Sequence, residues 1–273
     1  MISQKDFESY LRNHIPFFVY NPQGLKDISL IKAVVKAGGL GLINFERIDL
    51  KEMQEIFEKC CQELVHSFGV RVNSIEQLDV ILNLYNNNEP LIIIIGDFQL
   101  NAKMKEKIQQ KPIILFAEVT SLAEAYEKKW ARAFVLKGIE AAGRVSDETT
   151  FILCQQFANT GLSFIPQGGL GLFTTAAVFG VGAKAVVFDT QVYLMKDCPL
   201  NSETKHFLST LDSTDTKIIG NSCKMKYRVY GKLGTRIFND FLKKEKDLLS
   251  LSIDERTIEL KKRLFENRAM FNA

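Results

Sequence analysis

The sequence predicts an α/β fold, a TIM (β/α)8 barrel with a charged helical C-terminal extension. Eight short apolar runs alternate with amphipathic stretches, which is typical of parallel strands connected by helices. The chain has 273 residues, close to the roughly 250 residues of a typical barrel of this kind. An open doubly wound sheet is the alternative, but it needs an edge strand on each side, and none of the eight runs has the polar pattern of an edge.

The predicted strands begin 20 to 30 residues apart, which leaves room for one strand, one helix and two loops in each unit. The eight runs are Phe17–Asn21, Leu40–Phe45, Gly69–Asn73, Leu91–Phe98, Ile113–Thr120, Ala133–Glu140, Leu162–Gly169 and Ala185–Gln191. The most apolar run starts at Leu91 with the letters LIIIIG. It suits a strand buried on both faces and is far too short to cross a bilayer.

The stretches between the runs have the apolar spacing of helices. The clearest helices are predicted over Asp27–Ala37, Leu50–His66, Ser74–Tyr85 and Ser121–Trp130. Ser74 is followed three residues later by Gln77, and Ser121 by Glu124. This spacing is typical of a capping box, so both serines are predicted to begin helices.

The composition excludes several classes of protein. Hydrophobic residues make up 46% of the chain and charged residues 25%, which is ordinary for a globular domain and unlike a disordered chain. The formal net charge is +3, too small over this length to attract nucleic acid strongly. We therefore expect neither a disordered protein nor a nucleic-acid binder.

The cysteines and the N-terminal residues indicate a reducing compartment. The five cysteines are odd in number and contain no C-x-x-C pair, so they form neither a disulfide framework nor a zinc site. The N-terminal residues lack an apolar core behind a basic start. We expect a cytoplasmic protein without a membrane span.

Histidine chemistry is not predicted at the barrel mouth, the C-terminal end of the strands where barrel enzymes place their sites. His14, His66 and His206 all lie before predicted strands or within predicted helices. The sequence therefore shows no Ser–His–Asp or Cys–His arrangement and no metal cluster. Acid–base chemistry would fall to Lys, Glu, Asp or Arg.

A glycine-rich loop, QGGLG at Gln167–Gly171, follows the seventh predicted strand and precedes a predicted helix over Leu172–Val181. Glycines let the backbone approach a phosphate closely, and the helix N-terminus favours negative charge. Phosphate sites in these barrels commonly follow strands seven and eight. The loop is predicted to bind phosphate, and a plain turn is the alternative.

The segment KGIEAAGRVSDET, Lys137–Thr149, follows the sixth predicted strand. Its small residues could lie flat against a planar ligand, and Lys137, Glu140 and Arg144 place charge at the barrel mouth. These three are the candidate catalytic residues. Alternatively, Lys137 pairs with Glu140 or Glu118, because a buried charge at a strand end needs a partner.

The C-terminal part of the chain has a different pattern. After the eighth strand the periodicity weakens until two charged, helical stretches, Ile237–Leu249 and Ser252–Asn267. We predict a barrel domain over residues 1–242 and a charged helical tail or linker over 243–273.

Four segments together resemble the nitronate monooxygenase family, formerly 2-nitropropane dioxygenase, whose members include a flavin-dependent enoyl-ACP reductase. They are AGGLGLI (Ala37–Ile43), KGIEAAGR (Lys137–Arg144), QGGLG (Gln167–Gly171) and GAKAVVFDTQ (Gly182–Gln191). The region Lys137–Tyr230 is more similar to the N-terminal domain of this type in some type I polyketide or polyunsaturated-fatty-acid synthases. The resemblance implies an FMN-binding TIM barrel, with NAD(P)H as a possible reductant.

The resemblance also implies a set of cofactor-binding residues. In this chain they are Asn21, Asn73, Lys137, Gly138, Gly143, Gln167, Gly168, Gly169, Gly171, Asp189 and Thr190. Gly168, Gly169 and Gly171 match the glycines that hold the FMN phosphate, and Asn73 matches a position facing the flavin.

Two positions depart from the family pattern. Asp189, Thr190 and Gln191 stand where the family usually has a Gly-Thr pair that completes the phosphate site, and a carboxylate beside a phosphate is repulsive. Arg144 stands where nitronate monooxygenases have the histidine that abstracts a proton. Arginine stays protonated near neutral pH and is a poor general base, so nitronate oxidation is not expected.

Three functions are compatible with these residues. The first is an FMN-dependent oxidoreductase of a polyketide or fatty-acid synthase that reduces a carrier-linked enoyl thioester, with Arg144 binding an anion. The second is a barrel that has lost flavin and serves as a docking or structural module, with carrier-linked chains or neighbouring synthase domains as partners. The third is non-redox acyl chemistry that uses Lys137 and Glu118 as acid–base groups.

Overall fold

Eight parallel strands close into a barrel with helices around it, which confirms the predicted TIM barrel. The computed structural model describes residues 11, 15–64, 68–231 and 236–266. In chain order the strands are β1 (Phe17–Tyr20), β2 (Leu40–Asn44), β3 (Phe68–Val72), β4 (Leu91–Ile95), β5 (Ile113–Val119), β6 (Ala133–Lys137), β7 (Gly143–Val145), β8 (Phe164–Gln167), β9 (Val186–Phe188), β10 (Thr216–Ile219) and β11 (Lys226–Tyr230). The barrel order is β1-β2-β3-β4-β5-β6-β8-β9, and β9 pairs with β1 to close it.

The described helices alternate with the barrel strands as predicted. They are α1 (Ser29–Lys36), α2 (Leu50–Glu63), α3 (Ile75–Leu84), α4 (Ala102–Gln109), α5 (Leu122–Glu127), α6 (Thr150–Ala158), α7 (Leu172–Val181), α8 (Ser202–Ser209), α9 (Arg236–Asp247) and α10 (Ile253–Glu266). Ser74 accepts a hydrogen bond from the Gln77 N–H and Ser121 from the Glu124 N–H, so both begin helices as expected. Within the described residues, no helix is both long enough and apolar enough to span a membrane.

The alternation of side chains along each strand divides the core into an inner and an outer part. The inner part fills the barrel and includes Phe18, Ile92, Ile94 and Phe116, with the rings of Phe18 and Phe116 stacked. The outer part lies between strands and helices and takes alternate residues of the same strands, such as Ile93. The barrel is therefore packed with side chains up to the layer at its mouth.

A second, three-stranded antiparallel sheet of order β10-β11-β7 lies outside the barrel and was not predicted. Its strand β7 arises within the loop expected after the sixth barrel strand. Arg144 of β7 pairs in register with Tyr227 of β11. The sheet joins the region after the eighth barrel strand to the barrel mouth.

The charged C-terminal residues form the helices α9 and α10, as expected. Helix α10 is not a solvated helix, because Leu260 and Leu264 are buried against Ile219 and Val229 of the second sheet. Lys261 forms an ion pair with Asp97 at the end of β4. The predicted domain boundary at residue 242 falls inside α9 and remains a prediction.

Candidate functional site

The barrel mouth carries a layer of inward-pointing polar side chains. Seven of the eight barrel strands contribute one at or just past their C-terminal end, and Gly96 follows the remaining strand, β4. The seven residues, all less than 9% exposed, are Tyr20, Asn44, Arg71, Glu118, Lys137, Gln167 and Asp189. Six of them lie two positions beyond apolar residues of the inner core, and Arg71 lies two positions beyond Gly69, so strand alternation turns all seven inward. Two are cations and two are anions.

A buried ion pair crosses this layer. Arg71 donates from Nε to Glu118 Oε1 at 2.7 Å and from Nη2 to Glu118 Oε2 at 2.8 Å. Its Nη1 donates to Glu46 Oε2 at 2.8 Å and to Asn44 Oδ1 at 3.2 Å. The two-pronged geometry satisfies both carboxylate oxygens, as a buried pair requires.

The charges in this layer shift one another's pKa. Burial alone would raise the pKa of Glu118, but Arg71, Lys137 and Arg144 outweigh it and lower the pKa to about 2. Burial has the opposite effect on a cation and lowers the pKa of Lys137. The nearby carboxylates Glu118 and Asp189 raise this pKa again, but only in part. Glu118 is therefore an ionised partner of Arg71 near neutral pH and not a proton donor.

The loop after β6 is fastened across the mouth between two opposite charges. Lys137 Nζ donates to the Ala142 carbonyl at 2.8 Å, and the Ala142 N–H points to Asp189 Oδ2 at 3.4 Å. Asp189 Oδ2 also accepts from Gln167 Nε2 at 2.8 Å. From the second sheet, Arg228 Nε donates to the Ile139 carbonyl at 2.7 Å. The loop is thus held from the barrel below and from the second sheet above.

The same loop packs against the glycine-rich segment. Gly168 has φ +104°, and a Cβ there would lie 2.5 Å from the Ala141 nitrogen. A Cβ on Gly138 would lie 2.0 Å from Thr150 Oγ1, which lies 3.2 Å from the Gln167 carbonyl oxygen. These glycines are needed for the close approach of two protein segments.

Two of the three candidate catalytic residues bind neighbouring side chains outside the polar layer. Arg144 donates to both oxygens of Glu124, at 2.9 and 2.8 Å, and lies 3.6 Å from Asp97. Glu140 Oε2 accepts from the N–H and the hydroxyl of Thr150 at 2.9 and 3.0 Å. Only Lys137 of the three points into the polar layer.

The other predicted cofactor residues are spread around the mouth. Asn21 donates through Nδ2 to the Leu25 and Asp27 carbonyls, both at 3.2 Å. Gly143 begins β7, Thr190 begins a single 3-10 turn, and Gly169 and Gly171 are exposed. Three amide oxygens are buried without a hydrogen-bond partner among the described residues, and they belong to Asn21, Asn73 and Gln167.

Sequence reasoning missed Arg71, the central cation of the layer. The pattern could have shown it, because a charged residue inside the apolar run GVRVN must either face solvent or point into the barrel. Asn73 was expected at the mouth, and Arg71, two residues earlier, points to the same side of the strand. Glu46 lies beyond the end of β2, and no pattern in the sequence indicated it.

The residues present do not fit an FMN phosphate beside the glycine loop. The Asp189 carboxylate, which stands where the resemblance implies the Gly-Thr pair of the phosphate site, is held beside the glycine loop by Gln167, and the backbone of Ala141 occupies the space next to Gly168. An open cleft of about 420 Å³ does exist, but its lining, which includes Ser121, Val145 and Met225, contains none of the glycine-loop residues. FMN would require the loop after β6 to move away from the mouth.

Comparisons with known proteins agree on the fold. No protein-family model and no curated protein matches the sequence. Among solved structures, FabK from Thermotoga maritima has a TM-score of 0.73 at 20% identity, over 91% of this chain and 78% of that one. Nitroalkane oxidase from Streptomyces ansochromogenes has a TM-score of 0.68 at 17% identity, over 81% of this chain and 78% of that one.

A third similar structure comes from a macrolactin biosynthesis cluster. The enoyl reductase domain of MlnA, from the macrolactin biosynthesis cluster of Bacillus amyloliquefaciens, has a TM-score of 0.70 at 12% identity. The match covers 96% of this chain and 75% of that domain. The chain therefore has the TIM-barrel fold of FabK, nitroalkane oxidase and the MlnA enoyl reductase domain, which confirms at the level of fold its resemblance to nitronate monooxygenase-like barrels.

Proposed function

We propose that this chain is an enoyl-reductase-type barrel without flavin that serves as a docking or structural module of a polyketide or fatty-acid synthase. The observation that carries the proposal is the fastened loop, in which Ala142 lies between Lys137 and Asp189 across the mouth. The fold shared with FabK and the MlnA enoyl reductase domain supports the link to acyl-chain synthesis. The five free cysteines suit a cytoplasmic location.

Catalysis at the mouth has little support from the contacts of its charged residues. Arg144 is engaged with Glu124, and Glu140 with Thr150. Glu118 is ionised and paired with Arg71 on both oxygens. Non-redox acyl chemistry would need Lys137 and Glu118 to exchange protons, and Lys137 Nζ already donates to the Ala142 carbonyl.

The proposal is tested first by flavin binding. Purified protein is incubated with excess FMN, passed through gel filtration, and its visible spectrum recorded. We expect no flavin band near ~450 nm in the protein peak, because a carboxylate, Asp189, stands where the resemblance implies the Gly-Thr pair of the phosphate site. A retained band would overturn the flavin-free part of the proposal.

The docking part is tested with purified acyl carrier protein. The two proteins are mixed and examined by sedimentation velocity and by pull-down. A complex is the expected result. Sedimentation of the two as separate species, with no capture in the pull-down, would overturn the docking part.

The second candidate function is an FMN-dependent oxidoreductase that reduces a carrier-linked enoyl thioester with NAD(P)H. Two features favour it: the glycine loop follows the barrel strand where a phosphate is expected, and three amide oxygens at the mouth lack partners. A flavin band that is retained through gel filtration and bleached by NAD(P)H would establish it. A colourless protein would exclude it.

A further inference from the structure

The second sheet and the C-terminal helices share a hydrophobic cluster that is separate from the core of the barrel. It is built from β10, β11, α10 and the turns beside them, and its buried residues are Ile219, Cys223, Val229, Leu248, Leu260 and Leu264. The clusters inside and around the barrel contain none of these residues. We call residues 216–231 and 236–266 the strap. A segment with its own apolar cluster can open and close as one cooperative unit while the rest of the protein stays folded.

The strand β11 connects this cluster to the loop after β6. Val229 packs in the cluster, whereas strand alternation turns its neighbour Arg228 to the other side, where Nε donates to the Ile139 carbonyl of the loop at 2.7 Å. Lys226, on the same side as Arg228, forms an ion pair with Asp147 near the end of the loop. Between these two anchors, β7 pairs directly with β11. The strap therefore holds the loop along most of its length.

The boundary between the strap and the barrel is polar and incompletely packed. Lys261 of α10 forms an ion pair with Asp97, whose other oxygen lies 3.6 Å from Arg144 Nη1 of β7. The ion pairs of the strap with Asp97 and with the loop are partly exposed to solvent, so each stabilises the boundary only a little. The open cleft of about 420 Å³ runs along this boundary, with Ser146 on the side of the loop and Met225 on the side of the strap. Separating the two parts therefore does not disrupt the core of the barrel.

We propose that the strap is a conformational device that keeps the barrel mouth closed. While the strap is folded onto the barrel, the loop after β6 is anchored on both sides. When the strap opens, the loop loses the bond from Arg228, the ion pair with Lys226 and the neighbouring strand β11 at once. The anchors from the barrel, such as Lys137, then hold the loop alone, and the mouth opens more often. The barrel stays folded, because the cluster that is lost belongs to the strap.

Hydrogen exchange of the loop amides in the native protein measures how often the loop opens. The Ile139 N–H donates to the Glu148 carbonyl at 2.8 Å. The Ser146 N–H donates to the Lys137 carbonyl at 2.9 Å. Leu264→Ala opens a cavity in the cluster of the strap, to which no described residue of the loop belongs. Because the strap holds the loop, both amides are expected to exchange at least about tenfold faster in this variant.

Leu64→Ala is the matched control. Leu64 and Leu264 are both 5% exposed, so the two variants remove the same atoms from similarly buried sites. Leu64 follows α2 and belongs to the outer cluster of the barrel. Its truncation lowers the stability of the barrel but leaves the strap intact. Exchange of the two loop amides is therefore expected to stay within about twofold of wild type.

A second variant breaks the direct contact between the strap and the loop. Arg228→Leu removes the bond to the Ile139 carbonyl and leaves every residue of the strap cluster in place, so the protein is expected to fold. Exchange of the loop amides is expected to rise about tenfold. This variant decides the question if Leu264→Ala does not fold.

Three results would overturn the proposal. The first is loop exchange that Leu264→Ala leaves unchanged, which would mean that the barrel alone holds the loop. The second is equal acceleration by Leu264→Ala and Leu64→Ala, which would mean that the loop opens only when the whole barrel unfolds. The third is unchanged exchange in Arg228→Leu. Neither flavin nor carrier protein takes part in these measurements, so the proposed function can fail while the strap stands, and the reverse.

Discussion

Replacing Glu118 by Gln tests the ion pair at the centre of the barrel mouth. The carboxylate is 2% exposed and receives two hydrogen bonds from Arg71. The amide cannot reproduce this pairing, because one of its two ends is a donor that would face the guanidinium. We expect Glu118→Gln to lower the free energy of unfolding at pH 7.

The size of the effect follows from the pKa of Glu118. The pKa falls from an ordinary value of 4.5 to about 2 in the folded protein. At 1.36 kcal/mol per pH unit, this gap corresponds to about 3 kcal/mol of stability at pH 7. Because the folded-state pKa is depressed, this contribution is present above pH 4.5 and lost as the pH falls toward 2. By pH 4 the expected loss is about 0.8 kcal/mol.

The assay is urea unfolding of wild type and variant at pH 7 and pH 4. At pH 7 the free energy of unfolding of wild type is expected to exceed that of Glu118→Gln by about 3 kcal/mol. At pH 4 this difference is expected to be smaller by about 0.8 kcal/mol. Glu106→Gln, at an exposed position of α4, is the control and should differ from wild type by less than ~0.5 kcal/mol. A Glu118→Gln difference below ~1 kcal/mol at pH 7, or one that does not change with pH, would refute the reasoning.

Two further predictions concern the loop contact and the thiols. Gly168→Ala adds a Cβ 2.5 Å from the Ala141 nitrogen at φ +104°, whereas Gly161→Ala has φ +75° and open space. Thermal unfolding should therefore show a larger loss for Gly168→Ala than the roughly 1–2 kcal/mol of strain expected at Gly161, and equal losses would contradict the loop contact. Burial raises the pKa of Cys60 and Cys154 to about 12. In a thiol titration at pH 8 both should stay unreactive until urea is added, and fast reaction of either in the native protein would disprove their burial.

The barrel was predictable because strand period and strand number are local properties of the sequence. Apolar runs such as Leu91–Ile95 mark strands buried on both faces, and β4 has this pattern. Short connections and parallel pairing then leave few topologies. The capping serines, Ser74 and Ser121, were predictable for the same local reason.

The second sheet was not predictable, because its pairing depends on contacts distant in sequence. Strand β7 has three residues, and it pairs with β11 more than 80 residues later. The segment around Arg144 has no strand pattern of its own, so the sequence predicts a loop there. The contacts of Arg144 with Glu124 and of Glu140 with Thr150 were not predictable for the same reason. These residues come close to each other only in the folded barrel.

The contacts of Asp189 show that substituting this residue alone would disturb the buried charges around it. Asp189 is bonded to Gln167 and faces the Ala142 N–H, while Lys137 holds the Ala142 carbonyl. Removing the carboxylate would leave Lys137 buried with one fewer counter-charge, and burial already lowers its pKa. A residue that keeps a neighbouring charge buried is tied to stability and cannot be exchanged independently. The polar layer is therefore best understood as part of the barrel core, with the loop after β6 as its cover.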